Sequence, residues 1–417
     1  MTRKSWILPT LMLAGGLAGI TLGTGFGDRW GDPALEPLTL TVRLFGAVFL
    51  SLLRAIMIPL IVTSIIMALQ GFAQARNTTR IAAITAGYYM ATTFVAVVTG
   101  LVLVQVLHPG HVTATALAVT PAQLPATQSA LQALYAVVTG MFPPNLFSAA
   151  SEDNVLGVLV FSLLFGVALA RLRDRARPLV EAIATANEVL FTIVRWVVRL
   201  APLGILGLVA DRLGQAGGGA AAWGEIQRLG MYSVTVLAGL AIHSLVTLPL
   251  LLWLMARRNP LRYLAGMSEA LVTALGTASS AATLGVTLRC AVDRNKVSAR
   301  TAEFVIPIGT TVNMDGTALY EAVAVVFVAQ SLGIELSGVQ IVTVAVTATL
   351  AAIGAAAIPE AGLITMVLVL SAVGLPVEGI GLLLVIDWIL DRFRTSVNVW
   401  GDAIGAAIVD HQLPSDT

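Results

Sequence analysis

The sequence predicts an all-α polytopic membrane protein: eight transmembrane helices plus two re-entrant helical hairpins, arranged as inverted repeats. Three observations carry that prediction. Hydrophobic residues make up 57% of the 417 and charged residues only 11%, whereas soluble domains carry roughly 25% charged residues. Apolar stretches of about 20 residues, the length of a helical span, recur along the whole chain. Basic residues gather in a few clusters between those stretches. The composition also excludes other classes. A net charge of +1 leaves no electrostatic footprint for nucleic acid. The single cysteine, Cys290, permits no internal disulfide and no cysteine-rich metal site. His108, His111, His243 and His411 show no ligand spacing, so metalloenzyme chemistry is not expected.

In chain order, the apolar stretches cover 6–25, 40–69, 81–107, 154–171, 178–210, 229–255, 264–288, 301–332, 339–375 and 379–409. The first follows Arg3 and Lys4, but it is long for a signal-peptide core and no A-x-A cleavage site follows, so it reads as a span. Basic clusters at Arg3/Lys4, Arg76/Arg80, Arg171–Arg177, Arg257/Arg258/Arg262 and Arg289–Arg300 should all face the cytoplasm. That rule puts the loop at 28–36 and the segment 108–153 outside, with both termini inside. Asn77-Thr78-Thr79 fits a glycosylation sequon but falls on the cytoplasmic side and carries no weight.

Residues 263–288 are long enough to cross, yet both flanks are basic, and one crossing would strand a basic cluster outside. Their middle is small and polar: Thr277-Ala278-Ser279-Ser280-Ala281. Two half-length helices meeting at that tip would enter and leave on one side, and backbone exposed at membrane depth survives only against protein or a watery cavity. A second break lies at 352–362, from Ala352 through Pro359 and Glu360 to Gly362. Paired interrupted segments are the mark of a secondary-transporter site built from inverted repeats. The alternative is two ordinary spans softened by glycine.

The last span holds Asp387, Asp391, Arg392, Arg394, Thr395, Asn398 and Asp402. Charges inside spans are costly and mark function by default. At about 100° per residue, all of these except Arg392 share an arc of about 100°. Arg394 offers a donor fork for a carboxylate, Asp391 can accept from an ammonium group, and Asn398 can do either. A cation and an anion one turn apart suit a zwitterion with an additional carboxylate; Asp402 could hold a cation with backbone carbonyls. The alternative is a salt-bridge network that serves only helix packing. In the preceding span, Asn313, Asp315 and Gly316 argue for an unwound turn whose oxygens suit Na⁺. Tyr88-Tyr89-Met90-Ala91-Thr92-Thr93 offers further oxygens on a helix.

NMDGTALYEA at 313–322, the serine-rich tip at 277–283, GAAAIPEAG at 354–362 and DWILDRFRTSVNVWGD at 387–402 resemble the glutamate/aspartate transporter family. These are dicarboxylate/amino acid:cation symporters, which include the excitatory amino acid transporters, and the resemblance covers essentially the whole chain. It implies a homotrimer in the inner (plasma) membrane, moving an acidic amino acid by an elevator mechanism, with no cofactor and Na⁺ as coupling ion. The implied scaffold comprises residues 1–80 and 108–222. The implied transport domain comprises 81–107 and 223–417, with hairpins at about 264–288 and 335–370.

By motif match, Arg394 would bind the substrate side-chain carboxylate and Asp391 its amino group. Thr317, Asn398 and Thr395, with backbone at Ser279, Ser280 and Gly362, would complete the substrate site. One sodium site would use Asp402 with carbonyls of Gly309, Asn313 and Asn398. A second would use Tyr89, Thr92, Thr93, Asn313 and Asp315, and a third the backbone at Thr311, Ala352, Ile353 and Ala355.

Three departures refine that picture. Archaeal relatives carry an arginine where this chain has Ala278; here Arg392 supplies the charge from the last span, as in the animal-type arrangement. Glu321 matches the animal-type proton-carrying position, which implies H⁺ symport and leaves K⁺ counter-transport open. A carboxyl buried in a span is costly to keep charged, which suits it to that task, although a neighbouring arginine could equally neutralise it. Glu360 stands where relatives often have glycine or glutamine. The closest rival is a C4-dicarboxylate symporter on the same fold, which would have no use for Asp391. A neutral amino acid transporter would lack Arg394. An intramembrane aspartyl enzyme would need a marked carboxylate pair, and Asp315 and Asp387 are not so marked.

Overall fold

The computed structural model describes residues 7–73, 79–111, 135, 138–151, 154–354, 361–381 and 383–413. Among these residues the protein is all-helical, without a strand. The predicted sequon at Asn77 and the second-hairpin residues Ala355 and Glu360 lie outside the described residues.

Helix α1 (Ile7–Gly25) contains no charged residue, and α2 (Glu36–Ala73) runs 38 residues with Pro59 inside it. Between them a short 3₁₀ turn is capped by Asp32, whose side chain accepts from the Ala34 N–H. That N–H and the Arg29 guanidinium hold the Asp32 carboxyl below its usual range. Helix α3 is Thr79–Leu107, the short α4 is Leu146–Ser151 and α5 is Val155–Leu172. The stretch 178–210, expected as one span, is two helices, α6 (Arg177–Val198) and α7 (Ala201–Gln215). Pro202 is the reason: it donates no backbone hydrogen bond and is at home in a first helical turn, so the chain stops and restarts there.

Helix α8 (Gly219–Ile242) passes through a π-helical turn, His243–Thr247, into α9 (Leu248–Ala256). Pro249 accounts for the widened turn, because its ring clashes with the carbonyl four residues earlier. The first predicted hairpin is present as α10 (Pro260–Thr277) and α11 (Ser280–Arg289). The reversal uses Ala278 at φ 49°, a left-handed conformation that costs an L-residue about 1–2 kcal/mol. Ser279 then caps α11 by accepting from the Ala282 N–H at 3.2 Å. Across the arms, Glu269 pairs with both Arg289 and Arg294.

The stretch 301–332 unwinds where Asn313 and Met314 separate α12 (Ala299–Val312) from α13 (Asp315–Ser331). Helix α14 (Gly338–Gly354) and α15 (Ala361–Ala372) flank the second predicted break, and α16 (Leu384–Gln412) closes the chain. By length and apolarity, five stretches among the described residues could cross a membrane: Pro33–Gly71, Arg80–Leu107, Leu156–Val198, Trp223–Ala256 and Ala299–Ser331. Helix α16 is not among them because its charges lower its hydropathy, although most of that helix is buried in protein.

Two packing groups result. Helices α1, α2, α5, α6 and α7 pack mainly on one another. Helices α3 and α8–α16 form the other group, with α16 against α9, α10, α12 and α13, and α3 against α8, α13 and α14. The groups meet chiefly where α14 and α15 lie on α2.

Candidate functional site

The polar face of α16 does not meet lipid. Asp387, Asp391, Arg394, Thr395, Asn398 and Asp402 are all buried, Arg394 completely, whereas Arg392 is partly exposed, as its place off the common arc requires. Arg394 is the largest fully buried side chain. Its Nη1 lies 2.9 Å from Asp387 Oδ1 and its Nη2 lies 2.9 Å from Asp391 Oδ1. Its guanidinium stacks 3.8 Å from the centroid of the Tyr320 ring. A buried cation needs such pairing, since unpaired burial costs several kcal/mol.

Gly362, at the start of α15, presses on the same guanidinium: a Cβ there would come within 2.9 Å of Nη1. Asn398 links α16 to the unwound turn, accepting from the Gly316 N–H at 2.8 Å and donating to Thr317 Oγ1 at 3.3 Å. Arg392 donates from the outer edge of α16 to the carbonyls of Leu275 and Gly276, at 3.1 and 2.8 Å. Those carbonyls end the first hairpin arm and have no helical donor of their own to meet. Ser279 serves as the cap already described, and Ser280 is buried beside it. Nearly two turns into α13, the Glu321 carboxylate accepts a hydrogen bond from Thr365 of α15.

A second cluster lies three to four residues further along α16. Asn313 Nδ2 donates to Asp402 Oδ1 at 3.0 Å, and Thr92 donates to Asn313 Oδ1 at 3.3 Å. Thr93 donates to Asp315 Oδ1 at 2.7 Å. Tyr89 reaches the Val305 carbonyl at 2.8 Å and Tyr88 the Gly401 carbonyl at 3.1 Å. Gly309 is required by crowding: a Cβ would collide with Asp402 Oδ1 and lie 2.6 Å from the Tyr89 hydroxyl. Thus α3, α12, α13 and α16 converge on one oxygen-rich knot. The residues expected to form a third ion site are more scattered. Ala352 and Ile353 are buried near the end of α14, and the Thr311 side chain is exposed and bonds its own helix at the Ile308 carbonyl.

The sodium:dicarboxylate symporter family matches residues 8–412 of this sequence. The chain belongs to that family. Similar proteins include the "Excitatory amino acid transporter" of Caenorhabditis elegans, 39% identical over 99% of this chain and 90% of the relative. "Excitatory amino acid transporter 3" of Mus musculus is 39% identical over 88% of this chain and 78% of its own. "Excitatory amino acid transporter 2" of Homo sapiens is 37% identical over 97% of this chain and 79% of its own. The protein is therefore a multi-pass membrane transporter, a symporter and not an enzyme.

For this symporter, the knot around Asp402 and Asp315 fits a hard cation. Asp402 Oδ2 has no hydrogen-bond partner among the described residues, although it is buried. The available donors are carboxylate, amide, hydroxyl and carbonyl oxygens, the ligand set of an alkali or alkaline-earth ion.

Sequence reasoning missed four participants. The sequence puts Asp387 on the polar face without a role, and it is a direct partner of Arg394. Tyr320 and Thr365 are a ring and a hydroxyl in spans, which carry no signal by themselves. His243 shows no ligand spacing in the sequence, yet its Nε2 lies 3.1 Å from Asp315 Oδ2. Its partner is 72 residues away, so the only available signal was a histidine within a span, six residues before Pro249.

Proposed function

We propose that this protein takes up an acidic amino acid, L-aspartate or L-glutamate, together with Na⁺ and H⁺. The observation that carries the reading is the fully buried Arg394 held between Asp387 and Asp391. A ligand bearing a carboxylate and an ammonium can replace the Arg394–Asp391 pair with two pairs of its own. The carboxylate takes the guanidinium fork and the ammonium takes the released Asp391. Asp387 stays on Arg394 and keeps the buried cation compensated throughout. A C4-dicarboxylate brings no ammonium to meet Asp391 as Arg394 turns to the substrate, which disfavours that substrate by the cost of weakening a buried charge pair. Relatives named for excitatory amino acids point the same way.

Thr317, Thr395 and Asn398, with backbone at Ser279, Ser280 and Gly362, line the space for the α-carboxylate. The cations occupy the knot of Tyr89, Thr92, Thr93, Gly309, Asn313, Asp315, Asn398 and Asp402, with a further place at Thr311, Ala352, Ile353 and Ala355. Glu321 carries the proton, and counter-transport of K⁺ returns the empty carrier. The two packing groups act as scaffold and transport domain: 1–80 and 108–222 remain fixed in a homotrimer, while 81–107 and 223–417 slide as an elevator. Support for that division comes from the concentration of the described substrate and cation residues in the second group. The eight spans lie in a plasma membrane with both termini cytoplasmic. The test is uptake of labelled L-aspartate, L-glutamate and succinate into proteoliposomes under separately imposed Na⁺, H⁺ and K⁺ gradients. Concentrative uptake of an acidic amino acid requiring inward Na⁺ supports the reading; absence of concentrative uptake of either one refutes it.

A further inference from the structure

His243 and Asp315 are both completely buried, and each comes from a stretch where the helix departs from regular geometry. His243 opens the π-helical turn of 243–247, and Asp315 is the first residue after the unwound turn at Asn313 and Met314. π-Turns cluster at functional sites because they shift side chains around the helix. Here the shifted side chain is an imidazole whose Nε2 lies 3.1 Å from Asp315 Oδ2.

The proton can be assigned from the partners. Among the described residues, nothing hydrogen-bonds Nδ1. An imidazolium would bury that second N–H without an acceptor, at a cost of about 1–3 kcal/mol. The opposite neutral tautomer would aim a lone pair at a carboxylate oxygen. The neutral ring with its proton on Nε2 satisfies the contact with Asp315 and leaves only an uncharged lone pair at Nδ1, so the histidine is a donor to Asp315. Thr93 donates to the other oxygen of the same carboxylate at 2.7 Å. Both oxygens are therefore oriented by one donor each, from α3 and from the π-turn. Each oxygen keeps a lone pair for something else.

We infer that His243 is a positioning residue for cation binding: it fixes the orientation of the Asp315 carboxylate so that its remaining lone pairs face the ion. The inference rests on the proposed Na⁺ site and adds a residue that does not itself touch the ion. Donors that hold ligating carboxylates typically set metal affinity by 10–100-fold. The π-turn then has a reason to be at Pro249: it carries His243 to the level of Asp315.

The test uses thermal unfolding of the purified full-length protein as NaCl replaces choline chloride at constant ionic strength. The wild type should be stabilised by Na⁺ with a defined midpoint. H243L, which has no donor, should raise that midpoint by about tenfold or more. H243Q, whose amide nitrogen falls near the position of Nε2, should restore it to within about threefold, a rescue that loss of packing alone would not show. If H243L does not fold, H243N takes its place with the same expected shift, because its shorter amide ends too far from Asp315. L-aspartate affinity at saturating Na⁺ should be unchanged in all variants. Equal shifts in the leucine and glutamine variants, or no shift in either, would overturn the role of His243 while leaving the Na⁺ site standing. A wild type without any Na⁺-dependent stabilisation would overturn the site itself and the inference with it.

Discussion

Replacing Arg394 by cysteine removes a cation that lies 2.9 Å from both Asp387 and Asp391. The side chain has 0% exposure, so solvent cannot compensate for its loss. Truncating one member of a buried, hydrogen-bonded charge pair costs about 2–5 kcal/mol. At about 1.4 kcal/mol per tenfold, that range corresponds to roughly 30-fold to 4,000-fold in affinity. Complete burial and bidentate reach place Arg394 in the upper half, so L-aspartate affinity should fall by more than about 300-fold. Neutral amino acids such as L-serine, which lack the additional carboxylate, should lose little and gain relative preference. The assay is competition against labelled substrate in proteoliposomes. Folding is controlled by the double variant Arg394→Cys/Asp387→Asn, which relieves one stranded carboxylate and should raise thermal stability relative to the single variant. If the single variant folds and keeps L-aspartate affinity within tenfold of wild type, Arg394 does not hold the substrate carboxylate and the assignment of the whole polar face fails.

Gly309→Ala should abolish Na⁺-dependent stabilisation and uptake with little change in expression, because the new Cβ meets Asp402 Oδ1 and the Tyr89 hydroxyl rather than apolar packing; titration of unfolding temperature against NaCl checks this, and an unaltered Na⁺ midpoint would remove Asp402 from the site. Glu321→Gln keeps a partner for the Thr365 hydroxyl but cannot exchange a proton. Net uptake should therefore lose its dependence on an imposed pH gradient while substrate exchange persists, as measured with labelled L-glutamate at matched Na⁺; retained pH dependence would place the proton elsewhere.

Much of this site was legible in the chain because helical periodicity is rigid. The spacing Asp387, Asp391, Arg394, Asn398, Asp402 can face only one way on a regular helix, and all five are buried together. The same periodicity separates Arg392, which turns aside to cap the hairpin arm at Leu275 and Gly276. The break at 277–281 was legible because small polar residues in an apolar run have no role in a lipid-facing helix. The break at Arg199 was not, since a proline just inside a helix start can also be tolerated as a kink in one long span.

What the sequence determined alone was therefore what depends on local geometry and solvent: the membrane class, the interruption at 277–281 and the charged stripe. Tertiary structure decided the pairings. Asp387 rather than a distant group neutralises Arg394, Tyr320 stacks on it, and His243 meets Asp315 across 72 residues. Periodicity states which face a residue occupies, but not which of several buried faces it will meet. That choice is made by packing, which must give every desolvated charge and donor a partner at once. The scarce charges of this chain are informative for that reason: in the interior nearly every one of them has a named neighbour, and those neighbours come from different helices.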